Sequence, residues 1–197
     1  MNRFSLLKPF LAAVLMLVSS ISAEEAPVER LKSAIDNVLD ILSAPESEKD
    51  YDAKRTEVRA VLGTQFSFDV MVKGALGRNR KTLSEEQLSN VTSLVTDLLI
   101  RAYLREFDEG ERPQISYKKT VELTSKKIEI PSVIKLGGNN VNLTYRLARL
   151  KSGWQVYDLI VEGVSMVRNY REQFDQHFQT KGVAELIDLI TKKIENL

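Results

Sequence analysis

The chain holds few groups able to do covalent chemistry, and each stands apart. Its one histidine, His177, lies in the charged run Asp175-Gln176-His177. A hydrolytic triad needs that imidazole beside a serine and a carboxylate in a cleft. No nucleophile-elbow pattern accompanies it, and an exposed surface histidine fits the run. There is no cysteine, which removes thiolate nucleophiles, zinc–thiolate sites and disulfides together. Carboxylates and one imidazole do not make a metal constellation here. Gly137-Gly138 links two strands rather than opening a helix, so no phosphate-cradling loop is present. Asp158 is the one carboxylate inside an apolar strand. Such a residue can act as a general base, as in ketosteroid-isomerase-type chemistry; it can equally accept backbone or tyrosine hydrogen bonds, or point to solvent. Arg146 and Arg149 on a strand, with Arg168 and Arg171 on the helix after it, have the forked guanidinium that suits phosphate, and solvated surface cations explain them as well.

The bulk composition narrows the classes further. With 28 basic and 27 acidic residues among 197, and a formal charge of +1, the chain lacks the basic excess of a nucleic-acid binder. Arg3 and Lys8 precede the apolar run Phe10 to Val18, and small residues follow up to Ala23. This reads as a secretory signal peptide, residues 1–23, cleaved after Ala23. The run is too short for a bilayer span, which takes about 20 residues. Residues 24–197 are then a single exported domain, long enough for a core without disulfide staples. A lipid-anchored form would need a cysteine. An exported, cysteine-free protein fits a bacterial periplasm.

Apolar spacing sets the elements. Val28, Leu31, Ile35, Val38, Leu39 and Leu42 share one face of a helix over 28–42. Helices over 51–62 and 66–76 follow, the latter closed by Gly77. Ser84-Glu85-Glu86-Gln87 is a capping box opening a long helix to about Phe107. Strands over 114–123, 126–136, 140–150 and 153–162 are separated by turn residues. Helices over 164–180 and 183–195 close the chain. The fold class is α+β: an antiparallel sheet of about four strands between N- and C-terminal helices.

The stretch WQVYDLIVEGVSMVRNYREQF, then TKGVAELIDLI, resembles the C-terminal signature of the MlaC (toluene-tolerance) family through Trp154, Tyr157, Asp158, Glu162, Gly163, Val164, Ser165, Gly182 and Leu186. Phe68, Met71, Ala75-Leu76-Gly77 and Ser84 to Gln87 extend the resemblance into the first half. The chain departs from that pattern at Asn79, Arg80, Val91 and Val95, where aromatics are usual. The resemblance implies a twisted sheet wrapped by helices, similar to the nuclear-transport-factor-2 superfamily, enclosing an apolar cavity. It implies a monomeric, non-enzymatic periplasmic carrier of phospholipid without a cofactor. Its partners would be an inner-membrane ABC transporter with a membrane-anchored, ring-forming subunit and an outer-membrane lipoprotein complex, together serving outer-membrane lipid asymmetry. A hopanoid-like cargo, or an enzyme using Asp158, is the alternative.

If a cavity exists, the pattern points to its walls. Val156 and Ile160 share one strand face, and Val164, Val167 and Phe174 continue it onto the next helix. Val141, Leu143, Tyr145 and Leu147 stand on the neighbouring strand. Val95, Leu98, Leu99 and Tyr103 supply the opposite wall, with Val70 and Met71 beside them. The same stripes also fit a closed core.

Overall fold

The computed structural model describes residues 25–44, 51–107, 112–136 and 138–196. The expected signal peptide lies outside the described residues. Six helices and six strands run in the order α1 (Glu25–Ser43), α2 (Tyr51–Gln65), α3 (Phe68–Leu76), α4 (Glu85–Phe107), β1 (Gln114–Tyr117), β2 (Val121–Thr124), β3 (Lys127–Leu136), β4 (Asn139–Leu150), β5 (Gly153–Val161), β6 (Val164–Ser165), α5 (Met166–Phe178) and α6 (Val183–Glu195). Local chemistry accounts for several boundaries. At α4 the Ser84 Oγ accepts from the Gln87 N–H at 3.1 Å and the Gln87 Oε1 accepts from the Ser84 N–H at 2.9 Å, which is the reciprocal capping box. The α3 helix closes with the Gly77 N–H donating to the Lys73 carbonyl.

All strand pairs named here are antiparallel, in the order β1-β3-β4-β5-β6, with β2 beside β1 along the same edge of β3. The expected first strand is thus split in two. The Lys118 N–H donates to the Pro131 carbonyl at 2.8 Å, and Pro131 has no N–H to return the bond. The ladder breaks there and resumes at Val121↔Glu129.

At the other edge the strand does not run straight into the helix. Glu162 and Gly163, at φ +47° and +81°, make a two-residue hairpin loop with both residues left-handed. Val164 then pairs back on Val161, and α5 starts only at Met166. The Glu162 N–H donates to the Asn142 carbonyl. The Asn142 main-chain N–H bonds the Glu162 carboxylate in return, and this bond, with the Asn142 side-chain amide, holds that carboxyl below its usual range.

A β-bulge sits between β4 and β5. Arg146 faces Asp158 and Leu147 faces Val156, so Tyr157 is extra. The extra residue shifts the alternation by one. Leu159 and Val161 therefore share the inner face with Val156, across from Tyr145, Leu143 and Leu147. Ile160 faces outward with Thr144.

Three apolar clusters form. One joins the inner sheet face to α1 through Leu31, Ile35, Ile130, Tyr145 and Val156. A second joins α3, α4, α5 and α6 through Val72, Leu76, Val91, Phe174 and Leu186. A small third joins α1, α2 and α4 through Val38, Val58 and Ile100. Replacing Gly163 by Ala forces an L side chain into the left-handed loop at a cost of about 1–2 kcal/mol. We expect the melting temperature to fall by about 2–8 °C; an unchanged value would refute the hairpin as drawn.

Candidate functional site

The three clusters do not merge. Between them lies a cavity with about 1260 Å³ of atom-free space, open solvent at its mouth included, of which about 200 Å³ admits the centre of a water-sized sphere. Its walls come from nearly every element. Ile35, Val38, Leu39 and Leu42 project from α1, Val58 and Leu62 from α2, and Phe68, Met71, Val72 and Ala75 from α3. Val95, Leu99 and Ile100 come from α4, and Met166, Val167 and Tyr170 from α5. The sheet adds Ile115, Ile134, Leu143, Tyr145 and Leu159, with Phe66 and Pro113 from connecting segments. Among the described residues no wall side chain is charged, and the only side-chain hydroxyls belong to Tyr145 and Tyr170. The far half of the sheet is closed: Ile128, Ile130, Leu147 and Val156 are each 2 % exposed or less.

The sequence-predicted residues divide among several places. Met71, Val95, Leu99, Leu143, Tyr145 and Val167 stand on the wall. Leu147 and Val156 belong to the closed end. Leu98 and Phe174 pack in the helical cluster behind the wall. Val70, Val141 and Ile160 are half-buried and off the wall; the bulge accounts for Ile160. Val164, in the short β6 rather than a helix, is 54 % exposed. The Tyr103 side chain lies outside the described residues. Pattern reading missed the contribution of α1 and α2. Periodicity located the apolar face of α1 but carries no signal for what that face meets.

Asp158 faces away from the cavity and is only 4 % exposed. Its carboxylate accepts from the Ser165 hydroxyl at 2.7 Å and from the Val167 N–H at 3.1 Å. Ser165 in turn caps α5 by accepting from the Arg168 N–H at 3.1 Å. The Arg146 guanidinium is 3.5 Å away, and its Nε donates to Glu129 at 2.8 Å, which pushes the guanidinium pKa further up. Thus Asp158 ties the start of α5 to the sheet. The Arg171 Nε and Nη2 donate to the Gly74 carbonyl at 2.8 and 2.6 Å, so this arginine closes the end of α3. Arg149 and Arg168 are exposed.

His177 is half-buried rather than exposed. Its Nε2 lies 3.0 Å from the Gly182 carbonyl and its ring meets Phe178 edge-on, because it braces the turn between α5 and α6. Among the described residues, no group of three acidic, histidine or cysteine side chains converges on a metal position. No helix of the described residues is long and apolar enough to cross a membrane. The hydroxyl of Tyr117, on the inner sheet face, is buried with no hydrogen-bond partner among the described residues. Burial first, and the Asp36 charge second, push its pKa up to about 12.

A family model described as MlaC protein matches residues 32–192. No curated protein matches the chain. Among solved structures, the chain is similar to a phospholipid-binding protein from Ralstonia solanacearum, determined in complex with a phospholipid, at 23 % identity and a TM-score of 0.76, over 85 % of this chain and 96 % of that one. The shared feature is the open twisted antiparallel sheet with flanking helices.

Two outcomes follow from the buried polar groups. Asp158→Asn places an amide N–H₂ where two donors already converge, and should cost about 1–3 kcal/mol in chemical denaturation. An unchanged denaturation midpoint would contradict this structural role. The raised Tyr117 pKa means that the folded state keeps this proton while the unfolded state releases it. Its contribution is therefore full below pH 10 and is lost as pH rises towards about 12. Tyr117→Phe should remove that alkaline loss without destabilising the protein at pH 7; an unaltered alkaline profile would refute it.

Proposed function

Because the chain belongs to the MlaC family, we propose that it is a periplasmic carrier that holds a phospholipid by its acyl chains. The observation that carries this reading is the cavity wall: large, drawn from all layers and, among the described residues, free of charged side chains. Water finds few partners on such a wall. Left unfilled, 200 Å³ of missing packing costs on the order of 5 kcal/mol at the usual cavity coefficient. An acyl chain supplies the missing contacts. The related phospholipid complex from Ralstonia solanacearum supports this choice of ligand.

The chemistry of transfer follows from magnitudes. Each buried methylene contributes about 0.8 kcal/mol, so about thirty of them give roughly 24 kcal/mol gross. A lipid held that way does not leave through bulk water. It must pass between abutting apolar surfaces, so the carrier docks on its donor and acceptor. We assign those roles to an outer-membrane lipoprotein complex and to an inner-membrane ABC transporter with a membrane-anchored, ring-forming subunit. The transporter's nucleotide hydrolysis would supply direction. No covalent step is needed, and the polar headgroup stays at the mouth because burying it without partners is expensive.

Native mass spectrometry of residues 24–197 from a periplasmic extract, without detergent, should show one diacyl phospholipid per chain with mixed headgroups. A clean apo mass with no uptake from vesicles would end the carrier reading, and a polycyclic lipid would change the cargo. Leu143→Trp fills the cavity and should cut uptake about tenfold or more, whereas Val164→Trp, on an exposed position, should not. If the two variants behave alike, the cavity is not the binding site.

A further inference from the structure

A second space lies against α2, α3 and α4, and about 490 Å³ of it admits the centre of a water-sized sphere. It is polar where the cavity is apolar. Arg59 and Gly63 line it from α2, Asp69 and Lys73 from α3, and Glu85 and Ser93 from α4. Asp69, Glu85 and Ser93 are exposed, so this groove opens to water. It also adjoins the cavity. Arg59 follows the wall residue Val58, Gly63 follows Leu62 and Lys73 follows Val72. Consecutive helical residues point about 100° apart, so α2 and α3 turn one face to the cavity and the next to the groove. Phe68 is the residue, among the described ones, that lines both spaces. It is half-buried, and its ring stacks on Phe66 with centroids 5.9 Å apart. Atoms resting on opposite faces of one aromatic ring are about 7–8 Å apart, a distance that the glycerol and ester links of a phospholipid span.

The groove presents donors suited to an anion. The Arg59 Nη2 donates to the Ser93 Oγ at 3.1 Å, from α2 across to α4. That bond takes one of the five N–H donors of a guanidinium, and a hydroxyl that accepts it still has its own hydrogen to give. Such a pair matches the oxygens of a phosphate. The other polar groups are engaged or remote. Lys73 is held by Asp69 at 2.8 Å, which neutralises that carboxylate. The Thr92 and Thr96 hydroxyls donate to the Leu88 and Thr92 carbonyls. Glu85 stands eight residues before Ser93 on α4, about 12 Å along the axis.

Gly63 keeps the groove open. It lies inside α2 and its φ is not positive, and in that setting glycine is the poorest helix former after proline. A Cβ there would meet no atom within 4 Å. Neither the backbone nor close packing calls for glycine, and the effect of the missing side chain is free space one turn from Arg59.

We propose that this groove seats the phosphodiester of the bound lipid, with Arg59 and Ser93 as its donors and the glycerol passing Phe68 into the cavity. This rests on the lipid-carrier reading and gives the headgroup a defined place. The phosphodiester is common to all glycerophospholipids, so the groove separates them from neutral lipids. A water-soluble phosphate ester offers the same oxygens.

The test offers delipidated protein either vesicles doped with dioleoylphosphatidylethanolamine or dioleoylglycerol, or glycerol 3-phosphate in solution, and reads occupancy by native mass spectrometry. The wild type should favour the phospholipid over the diacylglycerol about tenfold, the scale of one charge-assisted hydrogen bond. Arg59→Met removes the charge and leaves the groove open, and should bring that ratio close to one. Gly63→Met fills the groove and leaves Arg59 in place, and should do the same. The second variant gains helix propensity, so it decides should Arg59→Met fail to fold. No preference in the wild type, or an intact preference in either variant, overturns the headgroup seat. Arg59-dependent binding of glycerol 3-phosphate without a preference between the lipids assigns the groove to a soluble ester and also overturns the seat. Uptake of neither lipid overturns the carrier reading, and the seat with it.

Discussion

One buried carboxylate sets where the cavity's C-terminal wall stands. Asp158 accepts from Ser165 and from the Val167 N–H, so α5 begins at a fixed height above the β5 edge. Three wall residues, Met166, Val167 and Tyr170, are placed by that start. The other side of α5 is set by contact. A Cβ on Gly74 would come within 3.0 Å of Val167 Cγ1, and Arg171 grips the Gly74 carbonyl. So α3 and α5 are joined closely to each other and each is tied to β5, α3 by the Ser67 N–H donating to the Val156 carbonyl at 2.9 Å and α5 by Asp158 and the β5–β6 pairing. Neither is free to settle onto the inner sheet face and close the gap. The open space follows from these restraints as much as from the apolar residues around it.

The bulge at Tyr157 belongs to the same construction. It turns Asp158 to the outer face, where Arg146 and the start of α5 meet it, and turns Leu159 inward beside Tyr145. An unbroken strand would keep Val156 and Ile160 on one face. A single extra residue thus places a buried carboxylate where it can hold a helix and an apolar side chain where it can line the cavity.

This is also where sequence reading reached its limit. Signals confined to a few neighbouring residues were legible: the Ser84–Gln87 box, Gly77 closing α3, the turn before β5, and the span of α6, whose bounds agree with the pattern. The α+β order was legible because periods of 2 and 3.6 differ clearly. The split at Lys118 was not, because its cause, Pro131, lies on the partner strand. The bulge was not, because alternation assumes an unbroken count. The contribution of α1 and α2 was not, since an amphipathic stripe looks the same over a filled core and over a cavity.

The balance of forces at the cavity has one further consequence. On the proposed lipid-carrier reading, chain burial supplies most of the gross affinity but no preference among lipids with similar tails, since every methylene counts alike. Selection would then rest on the few polar contacts beside the chains, and among the described residues the wall carries only two side-chain hydroxyls, those of Tyr145 and Tyr170. Such a wall suits a cargo accepted as a class and surrendered on contact, because fixed charges along it would hold the headgroup against any acceptor.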